Sequence, residues 1–100
     1  MRVKMFVVIF KAEEKEFNQA YYKTAGRMRD LAINQYACQG IDSVFEDGKE
    51  ITLSYWLSEK DIQDWKNNAE HLLAQKKGAE EWYSHFSVEI AEIKREYHSD

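Results

Sequence analysis

The order of its hydrophobic periodicities constrains the fold of this chain more than any other feature of the sequence. The chain has no proline and only four glycines, so the boundaries of its elements follow from periodicity rather than from turn residues. Residues Met5 to Phe10 are short, apolar and rich in β-branched and aromatic side chains. This composition predicts a first strand that is buried on both faces.

From Glu16 to Gln35, apolar residues recur every three or four positions, with charged residues between them. The pattern predicts an amphipathic helix that ends before Gly40. Gly26 lies inside this helix, where glycine lowers helix stability by about 1 kcal/mol relative to alanine. We therefore expect that close packing against a sheet explains the glycine.

The next segment predicts a β-hairpin followed by a capped helix. Apolar and polar residues alternate from Ile41 to Glu46 and again from Ile51 to Leu57, and Asp47-Gly48 between them is a hairpin-type turn. Ser58 follows, and its hydroxyl can accept a first-turn amide of the next helix. We expect Asn67-Asn68 to interrupt that helix and to cap another, which ends before Gly78.

The last segment, Tyr83 to Tyr97, predicts a strand in which the apolar residues change from even to odd positions near Ile90 and Ala91. Such a phase change indicates a bulge, a kink, or a switch in what the strand packs against. The strand is also long for a chain of this size. It could therefore reach a second subunit.

The predicted order is strand, helix, strand, strand, helix pair, strand, which is the α+β arrangement called ferredoxin-like, βαββαβ. One hundred residues predict a single domain over positions 1–100. In this fold, helices cover one face of an antiparallel sheet. Because the strands here carry apolar residues on both faces, we expect a second copy to cover the open face, giving a homodimer with the last strand as a cross-subunit arm.

Composition excludes several classes of function. With 14 Lys and Arg against 18 Asp and Glu, the net charge of −4 opposes attraction to nucleic acid or to anionic membranes.

The longest apolar stretch is too short to cross a bilayer and does not fit a signal peptide, so we expect a cytoplasmic protein. Cys38, the single cysteine, predicts a small buried residue. No spacing predicts a metal, nucleotide or hydrolase site.

Several residues spread over nearly the whole chain carry a resemblance to a known family. They are Ser54-Tyr55-Trp56-Leu57-Ser58-Glu59, Trp65, Glu70-His71-Leu72, Ala74-Gln75, Gly78 and Trp82-Tyr83. With these residues in this order, the chain resembles the antibiotic biosynthesis monooxygenase family. The resemblance implies a dimeric α/β barrel of ferredoxin-like subunits, with a pocket in each subunit between the sheet and the helices.

The family's chemistry is mixed, so the resemblance constrains the fold more than the reaction. Some members resemble cofactor-free oxygenases of aromatic polyketides, and others degrade haem. The haem-degrading members use an Asn on the first strand, a Trp on the second helix and a later His. Trp65 matches the Trp, but the first strand here has no Asn, and His71 comes about one turn before the position near Gln75 where the haem-ligating His is expected.

Cofactor-free oxygenation of a small aromatic or enolisable substrate needs a base, and His71 is the best candidate. Asn68 could donate to a phenolate or enolate oxygen, and Trp65 could form a pocket wall. The proposed substrate-binding residues are aromatic or apolar: Tyr21, Met28, Trp56, Trp82 and Phe86. We expect no cofactor and no metal.

Two other interpretations stay open. His71 could be an ordinary helix histidine beside Leu72, in a dimeric module that binds a small molecule without catalysis, and core packing explains each tryptophan equally well. Haem binding or degradation is a third hypothesis and is less favoured than the oxygenase and the binding module.

Overall fold

Four strands and two helices follow one another in the order βαββαβ, with one continuous helix where the sequence predicted a helix pair. The structure is a computed structural model that describes the backbone of residues 4–14, 19–76 and 83–99, and their side chains except at 14, 20, 69–76 and 83. The elements are β1 (Met5–Glu14), α1 (Gln19–Gln35), β2 (Gly40–Glu46), β3 (Lys49–Trp56), α2 (Glu59–Lys76) and β4 (Tyr83–Ile93). The sheet is antiparallel, with the strand order β2-β3-β1-β4. The predicted ferredoxin-like βαββαβ fold is confirmed.

Strand β1 lies at the centre of the sheet and is longer than predicted. It continues from Phe10 to Glu14 because β3 and β4 both pair with it as far as Glu13, so the polar residues after Phe10 still have partners for their backbone groups. Helix α1 ends at Gln35 as predicted. Its predicted start at Glu16 lies outside the described residues.

The turn between β2 and β3 confirms the hairpin prediction. Asp47 has a φ of 51° and Gly48 a φ of 74°. Two consecutive left-handed residues form the turn whose twist matches the twist of the flanking strands. The register that follows pairs Glu46 with Lys49 and Ile41 with Ser54.

Helix α2 begins as predicted but is not interrupted. The Asp61 backbone N–H donates to Ser58 Oγ at 3.1 Å, so Ser58 is the N-cap. The predicted break at Asn67-Asn68 is wrong, because the helix runs unbroken to Lys76. The Asn67 side chain accepts from Gln63 Nε2 at 3.0 Å, and the Asn68 side chain donates to the Tyr36 hydroxyl at 3.1 Å. Both amides therefore contact side chains instead of capping backbone.

The predicted kink in the last strand is also wrong. Pairing between β1 and β4 is continuous from Met5–Ile93 to Glu13–His85, through Ile90 and Ala91, and the register shifts only between Glu13 and Glu14. The even and odd apolar residues simply face the two sides of one regular strand. The strand ends at Ile93 rather than Tyr97, and Tyr97 is exposed.

The main core lies between the sheet and the helices. Its buried members come from five parts of the chain: Val8, Ala32, Cys38, Trp56 and Ile62. The burial of Cys38 is confirmed, and its thiol donates to the Gly40 carbonyl at 3.3 Å. Neither α1 nor the described length of α2 is apolar enough to span a membrane.

Burial differs between the two sides of the sheet. On the side that the helices cover, here called the helix side, Val8 and Ala12 are buried. On the other side, the open side, Val7 and Ile9 are only half-buried and Ile51 is exposed. The first strand of the single chain is therefore buried on the helix side alone, and burial of its other face, which needs a second copy, stays a prediction.

Gly26 has no packing reason to be a glycine. It lies in the middle of α1, but a Cβ built there meets no atom within 4 Å, so the expected close contact with the sheet is wrong. We expect Gly26→Ala to raise the free energy of unfolding by about 0.5–1 kcal/mol, because alanine loses less backbone entropy in a helix. Urea unfolding followed by circular dichroism measures this change.

The matched control is Gly48→Ala, because the same methyl group is added where φ is 74°. There alanine is strained and the free energy of unfolding should fall by about 1 kcal/mol. A destabilised Gly26→Ala variant would contradict the assignment of open space at that position.

Candidate functional site

The register of the sheet determines which side chains meet on the helix side. Residues paired directly across antiparallel strands point to the same face. Three successive rows, written from β2 through β3 and β1 to β4, are Phe45-Glu50-Ala12-Phe86, Ser43-Thr52-Phe10-Val88 and Ile41-Ser54-Val8-Ile90. The rows form the floor of the space between the sheet and the helices, where the family resemblance places the pocket.

One cluster of predicted site residues surrounds the two tryptophans. Trp56 is fully buried and its Nε1 donates to Ser54 Oγ at 2.9 Å. Trp65 is half-buried, its ring lies 5.6 Å from that of Trp56, and its Nε1 donates to the Met28 carbonyl at 3.1 Å. The structure therefore brings Trp56, Trp65 and Met28 together. Of the two tryptophans, only Trp65 has an exposed surface that a ligand could contact.

Asn68 extends this cluster along α2. Its amide nitrogen donates to the hydroxyl of Tyr36, which packs against the same core. An amide nitrogen carries two hydrogens, and no described residue accepts the second one. His71 follows in α2 about one turn later, but its side chain and all of Trp82 lie outside the described residues.

A second cluster forms at the other end of the floor. The rings of Phe10 and Phe86 stack with centroids 5.8 Å apart at 29°. Phe10 also packs against buried Tyr21 and Ala12. Phe10, which was not predicted, therefore links the predicted residues Tyr21 and Phe86.

The helix side of β4 is an apolar strip that the described residues leave partly exposed. Phe86, Val88 and Ile90 point to this side and are 54%, 45% and 47% exposed. Four residues of extended chain span about 13 Å, which matches the length of a two- or three-ring aromatic molecule. The strip lies beside Phe10 and is the most exposed apolar part of the floor.

A buried polar network lies across the floor from this strip, and it was missed in the sequence. The Tyr21 hydroxyl donates to Glu50 Oε1, and Thr52 Oγ1 donates to Glu50 Oε2 at 2.5 Å. Since Thr52 has a single proton, Ser43 is the donor in the 2.8 Å contact between their hydroxyls. Buried carboxylates require such donors. The alternation in β3 could have revealed it. Every second side chain of a strand points to the same face, so a buried Trp56 implies that Glu50, Thr52 and Ser54 also point toward the helices.

The metal-ligating side chains of the described residues do not form a metal site. No group of three or more His, Cys, Asp or Glu side chains among these residues could hold a metal ion. The buried carboxylate of Glu50 is instead satisfied by hydroxyl groups. The described part of the floor offers apolar contact and hydrogen bonding.

The Tyr21–Glu50 bond predicts a specific cost for losing one hydroxyl. We expect Tyr21→Phe to lower the free energy of unfolding by about 1–3 kcal/mol, because the buried carboxyl group of Glu50 loses a hydrogen-bond donor. Tyr97→Phe makes the same chemical change at an exposed ring after β4 and should cost less than about 0.5 kcal/mol. Equal losses in the two variants, measured by urea unfolding, would contradict the network.

Comparison with known proteins gives one clear sequence relative. YqjZ of Bacillus subtilis, a protein described as uncharacterised, is 39% identical over 92 residues, which cover 91% of this chain and 81% of YqjZ. No protein-family model matches the chain.

Solved structures with the same fold are more distant in sequence. A cofactor-independent oxygenase from Streptomyces nogalater, SnoaB, superposes with a TM-score of 0.72 at 7% identity and covers 95% of this chain and 97% of its own. A protein of Nitrosomonas europaea provisionally described as an antibiotic biosynthesis monooxygenase gives a TM-score of 0.72 at 17% identity, with 91% of both chains covered. The chain therefore belongs to the family of YqjZ, and its predicted resemblance to the antibiotic biosynthesis monooxygenases is confirmed, since it has their fold.

Proposed function

We propose that this protein is a cofactor-independent monooxygenase that oxidises a small aromatic or enolisable substrate on the helix side of the sheet. The observation that carries the proposal is the half-exposed strip of Phe86, Val88 and Ile90 beside the stacked ring of Phe10. A planar apolar molecule would cover this strip and gain about 25 cal/mol for each Å² removed from water. The fold shared with SnoaB, itself a cofactor-independent oxygenase, supports the reaction class.

The reaction needs no group beyond the substrate, dioxygen and a base. Removal of a proton from a methylene group of the substrate leaves an enolate, which dioxygen oxidises. One oxygen atom enters the product as a carbonyl and the other leaves as water, so the methylene carbon supplies all four electrons. An apolar pocket favours this chemistry because it keeps bulk water away from the enolate.

The residues have separate roles in this proposal. His71 is the base, and the second N–H of Asn68 stabilises the enolate oxygen. Trp65 forms a wall, supported from behind by the fully buried Trp56 and by Met28. Tyr21 and Phe86, together with Phe10, form the opposite end, and Trp82 is assigned to the same pocket.

The substitution that tests the reaction is His71→Ala. We expect it to lower the rate of oxygen consumption with anthrone, an enolisable tricyclic ketone, by at least about 100-fold, because a general base contributes about 10²- to 10⁴-fold. His98→Ala is the control, since His98 is exposed after β4. An oxygen electrode measures the rate, and anthraquinone is quantified as the product.

Two results would contradict the oxygenase. Binding of anthrone without turnover in the unaltered protein would indicate a non-catalytic binding module. A Soret shift on addition of haemin that requires His71 would indicate haem binding instead.

We also propose that a second copy covers the open side of the sheet, forming a dimeric α/β barrel. Val7, Ile9, Leu53 and Tyr55 lie there half-buried beside exposed Ile51. A contiguous apolar surface of this kind on a chain with charge −4 is typical of an interface. Because the surface lies at the centre of the sheet, its burial would add to the stability of both copies.

Leu53→Glu tests the dimer, because it places a charge at the centre of this surface. We expect the dissociation constant to rise by more than about 30-fold, as for loss of an interface hot spot. Ile33→Glu on α1 makes the same type of change at an exposed helix position and should leave the dimer intact. Light scattering after gel filtration gives the mass, and a monomeric unaltered protein would contradict the proposal.

A further inference from the structure

The turn that follows α1 fixes the position of Tyr36, a residue to which the proposed reaction gives no role. The Tyr36 backbone N–H donates to the Ala32 carbonyl at 3.2 Å, and the Cys38 backbone N–H donates to the same carbonyl at 3.0 Å. Ala37 between them has a left-handed φ of 60°. The half-buried rings of Tyr36 and Trp65 both pack against the main core. Tyr36 is therefore held in place by its backbone and by its ring.

The Tyr36 hydroxyl accepts a hydrogen bond and still has its own proton to donate. Asn68 Nδ2 donates to this hydroxyl at 3.1 Å. The hydroxyl proton has to point away from the nitrogen that donates to the same oxygen, and no described residue accepts it. The second amide hydrogen of Asn68 also lacks an acceptor among the described residues. The pair therefore presents two donors at the half-buried border of the core.

The tryptophan donors of the same cluster are already used. The indole N–H of Trp56 donates to Ser54 Oγ, and the indole N–H of Trp65 donates to a backbone carbonyl of α1. Ser54 is itself buried, so a ligand cannot reach its hydroxyl. In the described part of the cluster, the protons within reach of a ligand are those of Tyr36 and Asn68, beside the apolar face of Trp65.

We propose that Tyr36 contacts the substrate, and that its hydroxyl and the second N–H of Asn68 bind two different oxygen atoms of one aromatic molecule. Both protons point away from the line that joins the two donor atoms, so hydrogen bonds of ordinary length place their acceptors at least about 5 Å apart. One oxygen atom cannot accept both bonds. The matching substrates carry two oxygen substituents in a meta or para relation, whereas ortho or peri oxygens lie too close together.

Asn68 has two tasks in this arrangement. Its first amide hydrogen orients the Tyr36 hydroxyl and strengthens it as a donor, because hydrogen bonds in a chain polarise one another. Its second hydrogen contacts the substrate directly. The site rests on the proposed function for the location of the pocket, and it adds a specificity that the reaction itself does not require.

The experiment compares two isomers of dihydroxynaphthalene that have the same composition. The hydroxyl groups are in a meta relation in the 1,3-isomer and in a peri relation in the 1,8-isomer. Isothermal titration calorimetry of the full chain in the absence of dioxygen gives both dissociation constants. We expect the 1,3-isomer to bind about three- to tenfold more tightly, which corresponds to one additional hydrogen bond.

Single substitutions then assign this preference to the two donors. We expect Tyr36→Phe and Asn68→Ala each to abolish it, because only one donor or none remains in place. Tyr22→Phe makes the same chemical change at an exposed ring of α1 that contacts Phe45, and it should keep the preference. Circular dichroism confirms that each variant is folded. If Tyr36 only supports the fold, Tyr36→Phe weakens both isomers equally and the preference stays.

Three results would overturn the proposal. The first is that the unaltered protein binds neither isomer or binds both equally. The second is an unchanged preference in Tyr36→Phe, and the third is an equal loss of preference in Tyr22→Phe. Oxygen consumption with anthrone but no isomer preference would remove this site alone. An isomer preference without oxygen consumption would remove the oxygenase and keep the site.

Discussion

The pairing of β1 with both β3 and β4 is the constraint on which the rest of the structure depends. Both registers are antiparallel and continuous over at least eight residues. Side chains alternate with a period of two, so a slip of one residue would move Val8 and Ala12 to the open side and Val7 and Ile9 under the helices. Tyr21 would then face Lys49 or Ile51 instead of Glu50, and the buried network could not form.

The two sides of the sheet differ in how their side chains are stabilised. On the helix side, β3 presents Glu50, Thr52 and Ser54, and these polar groups are tolerated because hydroxyl and indole donors satisfy them. The open side has the more apolar residues of β3, although the single chain leaves them partly in water. The ligand site that we propose on the helix side and the second copy that we propose on the open side would each use this distribution of polar and apolar residues.

Much of the fold could be predicted because its signals are local. The alternation in the hairpin, the Asp47-Gly48 turn and the Ser58 cap each depend on a few neighbouring residues, and all three are confirmed. The prediction of a helix break at Asn67-Asn68 was wrong because the asparagine side chains bond to other side chains instead of capping backbone groups. The side chain of Asn68 donates to the Tyr36 hydroxyl. The prediction of a kink in β4 was wrong because a regular strand with apolar residues on both faces gives the same sequence pattern as a change of phase.

The candidate site was harder to predict than the fold. Its aromatic residues were singled out as large surfaces, but the sequence gives no sign that Tyr21 and Phe86 share one end of the floor with Phe10, while Trp65 and Met28 share the other. Residues so distant along the chain meet only through the register of the sheet.

By itself the sequence determined the element order, the ferredoxin-like class and the resemblance to one family, because periodicity and turn chemistry act over short stretches of chain. Only the tertiary structure decided that Glu50 is buried and bonded to Tyr21, that Gly26 faces open space, and that Asn68 donates to the Tyr36 hydroxyl. These facts depend on strand register and helix placement, which result from the packing of the whole chain.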